Sequence, residues 1–199
     1  LTRDLAEKAI ADAIQKGCNI IFTTTPEFVQ ASVQAAIAHP EVKILNCSLN
    51  TSHRYIRTYY ARMYEAKFLM GAIAGAMAEN GQLAYIADYP IFGTIANINA
   101  FALGAKMVNP RAQIYLEWST LKDVDLGIAM DNVIKKGVTV VSGQDMVIPE
   151  DASRYFGLYH IEKEGPRNLA MPLWHWGKFY EQLIRTIMDG TWKYDDNKD

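Results

Sequence analysis

The sequence is poor in the residue types that build disulfide scaffolds and metal centres. Its 199 residues include only two cysteines and four histidines. Two cysteines are too few for a disulfide framework or a zinc site. We expect Cys18 and Cys47 to be small buried hydrophobes, with a bridge between neighbouring strands as the alternative. Because no two histidines lie four residues apart along the chain, no metal site is predicted.

Motifs that carry catalysis are also missing. The chain contains no GxSxG, HExxH or CxxC motif and no phosphate-binding Walker loop. Asp88, Glu117 and Asp145 are lone carboxylates at predicted strand ends, without an accompanying nucleophile. The GxxxG formed by Gly71 and Gly75 falls inside an amphipathic helix, where close packing of that helix on a sheet explains it. We therefore expect a protein that is not an enzyme and that uses no cofactor.

Neither sign of charge dominates, and no apolar run is long. Twenty Lys and Arg residues against 22 Asp and Glu residues give a formal net charge of −2, with a pI near 6.1. This balance argues against binding to nucleic acid, which requires clustered positive charge. Apolar stretches such as residues 71–77 fall far short of the ~20 residues of a bilayer span. No basic segment followed by an apolar stretch opens the chain, so no signal peptide is predicted within it.

Apolar periodicity alternates between helix and strand along the chain. Helices are predicted at residues 1–17, 26–39, 65–79, 95–108, 122–136 and 177–189. Strands are predicted at residues 19–23, 43–47, 57–60, 82–87, 113–118, 138–142, 154–160 and 168–171. Helices between strands indicate crossover connections, and hence an α/β fold with mainly parallel sheets buried on both faces. One sheet or two smaller sheets, divided near residues 80–81, are both compatible with this order. Because such folds usually open with a strand, we expect an internal fragment that lacks its first strand.

Polar and aromatic residues collect where the predicted strands end. Ligands of open parallel sheets bind beyond the carboxyl ends of the strands. The segments there, residues 23–28, 46–50, 88–92, 118–120, 142–145, 159–160 and 174–176, combine rings, hydroxyls, amides and single carboxylates. Such a set favours a polar, uncharged small molecule, although each ring is equally consistent with a core or rim position. The predicted ligand-binding residues are Thr24, Phe28, Asp88, Trp118, Asp145, His160 and Trp176.

Several motifs resemble one family of transport proteins. Residues 65–74, EAKFLMGAIA, resemble the EGSFLAGxxAA helix of the basic membrane protein family. These are the substrate-binding lipoproteins of ABC transporters that include purine nucleoside receptors. Residues 82–88 followed by FALGAKMVNP at 101–110 are similar to that family's GKVGFIGG and FxxGxxxGxKxVNP stretches.

The resemblance continues in order towards the end of the chain. Residues 115–120, YLEWST, are similar to the family's Y-x-x-S/T-W-x-D segment, and residues 143–145 resemble its histidine-glutamine-aspartate turn. The segments WHWGKFY at 174–180 and DGTW at 189–192 resemble the W-x-W-G-x-Y-Y and DGTW ending of one branch. The ordered series covers most of the chain, from about residue 17 to residue 192.

The resemblance implies a type I periplasmic-binding-protein fold, in which two doubly wound lobes close on a ligand. Lobe one would hold residues 1–79 plus 173–199, and lobe two residues 80–172. It implies an extracytoplasmic receptor that passes a nucleoside-like ligand to an ABC permease and is tethered by an N-terminal lipid anchor absent from this chain. Phe28 and Trp118 would stack on a ring, and Asp145 would accept hydroxyl hydrogen bonds. The alternative is the ligand-sensing effector domain of a transcriptional regulator with the same fold.

Overall fold

The structure, a computed structural model, describes residues 3–48, 55–88, 92–120, 126–145 and 156–192. In chain order the helices are α1 Arg3–Gln15, α2 Val29–Ala38, α3 Met63–Met77, α4 Phe92–Val108, α5 Leu126–Lys135 and α6 Trp176–Met188. The strands are β1 Ile20–Thr23, β2 Lys43–Cys47, β3 Arg57–Tyr59, β4 Gln82–Ala87, β5 Gln113–Trp118, β6 Val140–Ser142, β7 Leu158–Glu162 and β8 Gly165–Ala170. No helix among the described residues is long and apolar enough to cross a membrane.

The chain divides into two compact units, residues 1–61 with 175–199 and residues 62–174. In the first unit, β1, β2 and β3 form a parallel sheet in that order. Side chains alternate across β2, so that Ile44 packs with α1 and α2 on one face and Leu45 packs with α6 on the other. This unit is therefore a small three-layer α/β/α structure.

The second unit contains a five-stranded sheet in the order β5-β4-β6-β7-β8. β4 pairs in parallel with both β5 and β6, whereas β7 and β8 join in antiparallel register. Along β4, Leu83 and Tyr85 face the core with α3 and α4, while Ala84 and Ile86 face the core with α5. The sheet is thus covered on both faces, as its apolar strands predict.

Glycines set the distance between α3 and α4. A Cβ atom built on Gly71 would lie 2.0 Å from the carbonyl oxygen of Phe101, and one on Gly104 would lie 2.0 Å from that of Phe68. A Cβ on Gly75 would lie 2.6 Å from the carbonyl oxygen of Ala105. The glycines of the GxxxG therefore allow α3 to pack closely on α4. The prediction that they allow packing on a sheet is wrong, because α4, which follows β4 in the chain, occupies this position.

Because α3 packs on α4, the first division between the two units comes earlier in the chain than the sequence predicts. The sequence places the end of the first segment of lobe one at residue 79, whereas the observed division falls between residues 61 and 62. The difference arises because α3 packs on α4 and on the core beneath β4, through Met70 and Ala74. The second boundary, predicted at 172 and 173, lies two residues from the observed one at 174 and 175.

The two cysteines are free thiols. Cys18 is exposed, contrary to the prediction of a buried side chain, because it follows the turn that ends α1. Cys47, the last residue of β2, is half-buried, and this burial raises the pKa of its thiol. The alternative of a bridge between them is not found.

Candidate functional site

The carboxyl edge of β4, β5 and β6 in the second unit collects polar side chains around one carboxylate. Asp88 directly follows β4, and its Oδ1 accepts a hydrogen bond from Nε2 of Gln144 at 3.0 Å and one from the hydroxyl of Ser119 at 3.4 Å. The hydroxyl of Thr120 donates to the backbone carbonyl of Asp88 at 2.5 Å. The side chain of Asp88 is exposed while its position is set by these three donors, so it is available as an acceptor for a ligand.

A second carboxylate at this edge is paired with a buried lysine. Nζ of Lys67 donates to Oδ1 of Asp145 at 2.6 Å. The side chain of Lys67 is 1% exposed and that of Asp145 is 23% exposed, so the ammonium is inside the unit and the carboxylate reaches its surface. The ammonium also lies 5.4 Å from the centre of the Tyr85 ring, within the range of a cation–π contact.

The pKa of Tyr85 is affected by both carboxylates of this edge. Burial, followed by the negative charges of Asp145 and Asp88, raises the pKa of its hydroxyl well above the usual value. The tyrosine therefore stays neutral and serves as an apolar and π surface under the site. Its partner across the ladder, Ser142, has a buried hydroxyl with no hydrogen-bond partner among the described residues.

The strand ends of the first unit form a buried polar network rather than an open edge. Nδ2 of Asn46 donates to the hydroxyl of Thr23 at 2.7 Å and to the carbonyl of Thr25 at 2.8 Å. These two acceptors orient the amide, and its buried Oδ1 has no partner in the described part of the chain. Of the predicted residues here, Thr24 is exposed, whereas Phe28 is half-buried against the core with α1 and α2.

The predicted tryptophans both pack partly into cores. Trp118, at the end of β5, is half-buried against the α3–α4 side of the second unit. Trp176 begins α6 and joins an aromatic cluster of the first unit, with its ring 5.5 Å from that of Tyr59 and stacked on Tyr180 at 6.0 Å. Burial, with the hydrogen bond to Tyr180, raises the pKa of Tyr59. Trp118 and Trp176 thus pack against their cores while part of each side chain stays exposed to solvent.

His160 does not lie at the same edge as Asp88 and Asp145. It pairs with Val140, the first residue of β6, because β7 runs antiparallel to β6. The carboxyl end of β7 therefore meets the amino ends of the parallel strands, and the prediction that His160 shares the edge is wrong. There Nδ1 of His160 lies 3.6 Å from Oε1 of Glu162, and Arg167 pairs with the same carboxylate.

The site in the structure contains only some of the predicted residues and includes others that were not predicted. The structure brings Asp88 and Asp145 to one edge and adds Gln144 and Lys67. Gln144 lies in residues 142–145, one of the segments predicted to follow a strand. Lys67 lies within α3, and nothing in the neighbouring sequence indicates that its side chain is buried. In the described ranges, no group of three or more His, Cys, Asp and Glu side chains is placed to hold a metal ion.

This fold is found among ABC solute-binding proteins. A solute-binding protein from Conexibacter woesei superposes with a TM-score of 0.60 at 16% identity, over 72% of this chain and 50% of that one. A transcriptional activator of the comK gene from Bacillus halodurans superposes with a TM-score of 0.66 at 14% identity, over 96% of this chain and 70% of that one. The predicted class, a periplasmic-binding-protein-like α/β fold with parallel sheets, is confirmed.

The chain belongs to the Bmp family of PnrA-like ABC transporter substrate-binding proteins, whose model matches residues 2–150. It is 27% identical to a purine-binding protein of Brucella abortus over 94% of this chain and 57% of that protein. It is 26% identical to a Haloferax volcanii protein whose name describes an ABC transporter glucose-binding protein, over 96% of this chain and 51% of that protein. The chain thus spans little more than half the length of these relatives. The resemblance to the family is confirmed, and the family is one of transport proteins rather than enzymes.

Proposed function

We propose that this chain is part of an extracytoplasmic substrate-binding protein of an ABC importer and that it binds a small, polar, nucleoside-like ligand without transforming it. The observation that carries the proposal is the pair of carboxylates at the edge of the second unit, in a chain of a substrate-binding family. The proposal includes an ABC permease as partner and an N-terminal lipid anchor.

The chemistry of the edge suits a ligand rich in hydrogen-bond donors. Asp88 and Asp145 offer carboxylate oxygens, and Gln144, Ser119 and Thr120 hold Asp88 in place. A hydrogen bond to a charged group contributes about 1.5–3 kcal/mol, so two such bonds account for a large part of a micromolar affinity of about 8 kcal/mol. Ribose hydroxyls and the amino and ring N–H groups of a purine are donors of this kind.

The ring contacts of the proposal come from residues that keep an accessible face. Phe28, Trp118 and Trp176 are half-buried, and Thr24 is exposed, so all four can contact a ligand while the rings also pack on their cores. His160 is left out of the proposed site because it lies at the opposite edge of its sheet.

A second candidate function is the effector domain of a transcriptional regulator. It is favoured by the match to a transcriptional activator, which covers 96% of this chain. The sequence of the full gene product distinguishes the two functions. A lipid-modified cysteine after an apolar segment supports the receptor, and a basic helix-turn-helix supports the regulator.

Ligand binding is tested directly with a panel of adenosine, guanosine, adenine and glucose. We expect at least one member to raise the melting temperature of the protein and to give a saturable calorimetric titration, because ligands that bind only the native state stabilise it. Asp88→Asn should weaken that binding about tenfold through loss of a charged acceptor. Asp131→Asn removes the same charge from the exposed face of α5 and serves as the control. Failure of every probe at millimolar concentration would overturn the proposal.

A further inference from the structure

We propose that Lys67 is a positioning residue for ligand binding. Its buried ammonium holds Asp145 as a charged acceptor, turned so that Oδ2 receives a hydrogen bond from a hydroxyl or N–H group of a neutral polar ligand. This inference rests on the proposed function and assigns to Lys67 a part in it that no sequence motif indicates.

The placement of Lys67 is costly for a purely structural residue. Lysine is almost never fully buried unless it is paired, because the ammonium loses its hydration. Replacing a buried ion pair by apolar residues of similar volume is often neutral or stabilising. Lys67 is 1% exposed and lies on the buried face of α3, together with the apolar side chains of Met63 and Met70. An apolar side chain would therefore serve the packing of this helix at least as well, and the ammonium points to a role at Asp145.

The contacts of Asp145 divide its carboxylate into an inner and an outer oxygen. Oδ1 accepts from Nζ of Lys67 at 2.6 Å, a short charge-assisted bond. No described residue donates to Oδ2, and the side chain is 23% exposed. The bond at Oδ1 thus limits the orientations of the carboxylate and leaves Oδ2, on a partly exposed side chain, as the acceptor for a ligand donor.

A second carboxylate lies at the same edge. Asp88 follows the neighbouring strand and is bonded to Gln144, and Tyr85 presents a buried ring beside the ammonium of Lys67. Neighbouring carboxylates repel each other. Among the described residues of this edge, Lys67 supplies a positive charge that offsets this repulsion.

The test compares Lys67→Met with Lys67→Arg, using calorimetric titration of adenosine, guanosine and glucose into the full chain at pH 7. We expect Lys67→Met to weaken binding by about tenfold or more, the effect of losing one charge-assisted hydrogen bond between Asp145 and the ligand. Lys67→Arg should restore most of the affinity, which a role in packing alone would not require.

Lys136 provides a matched control in the same unit. Its ammonium pairs with Glu117 at 3.0 Å and lies 4.9 Å from the ring centre of Tyr115, so it repeats the ion pair and the ring contact of Lys67 at a side chain that is 42% exposed. Lys136→Met should leave the affinity unchanged. An equal loss in this variant, or wild-type affinity in Lys67→Met, would overturn the assignment.

Two outcomes separate this inference from the proposed function. If Lys67→Met does not fold, as judged by circular dichroism, Asp145→Asn decides the matter: a folded Asp145→Asn that binds as the wild type refutes the role of Lys67, and a loss of about tenfold supports it. Wild-type binding that no variant alters rejects the inference and leaves the proposed function standing. A wild type that binds none of the probes rejects both.

Discussion

The packing of α3 on α4 yields a quantitative prediction for the substitution Gly71→Ala. The added Cβ would lie 2.0 Å from the carbonyl oxygen, 2.8 Å from the carbonyl carbon and 2.9 Å from the Cα of Phe101. Carbon atoms pack favourably at about 3.5–4.0 Å, so the two helices would have to separate by more than about 1 Å. Because every clashing atom belongs to backbone, no change of rotamer relieves the contact.

The expected change in the free energy of unfolding combines two opposed contributions, overpacking and helix propensity. Overpacking of a core costs typically about 1–3 kcal/mol, and a clash with rigid backbone belongs at the upper end or above it. Replacing glycine by alanine inside a helix returns about 0.5–1 kcal/mol. We therefore expect Gly71→Ala to lower the free energy of unfolding by about 2 kcal/mol or more, a large share of the roughly 5–15 kcal/mol of a domain.

Urea denaturation followed by far-ultraviolet circular dichroism measures this loss, and Gly177→Ala is its control. Gly177 lies in the first turn of α6, and a Cβ there would meet no atom within 4 Å. That variant should be unchanged or more stable by up to about 1 kcal/mol. The reasoning is refuted if Gly71→Ala unfolds within about 0.5 kcal/mol of the wild type, the scatter of an ordinary surface substitution.

Two further predictions concern the titratable side chains. Iodoacetamide at pH 8 should modify the exposed Cys18 much faster than Cys47, whose burial raises the pKa of the thiol, and Cys18→Ser should remove the fast phase; equal rates in the folded protein would contradict the assigned burial. Because the pKa values of Tyr59 and Tyr85 are raised in the folded protein, these groups contribute stability that is present below their unfolded pKa of about 10 and is lost as the pH rises above it. The free energy of unfolding should thus fall between pH 10 and pH 12, less steeply in Tyr85→Phe, and a variant with the wild-type slope would contradict the contribution of Tyr85.

Much of the local structure follows directly from the pattern of residues. β2, β4 and β5 begin and end at the predicted residues, because their apolar runs are short and are bounded by polar or turn residues. The carboxyl edge with Asp88 and Asp145 was also predictable, since parallel strands end at a common edge. The family follows from an ordered series of local motifs, which can be read from a single sequence.

The tertiary structure decided everything that depends on contacts between distant parts of the chain. The assignment of α3 to the second unit follows from its glycine contacts with α4, and the partner of Lys67 lies 78 residues away in the sequence. The antiparallel direction of β7, which separates His160 from the two carboxylates, is likewise set by strand pairing. Periodicity reports which face of a helix or strand is buried. It does not report what that face is buried against, because the partner is selected by the packing of the whole unit.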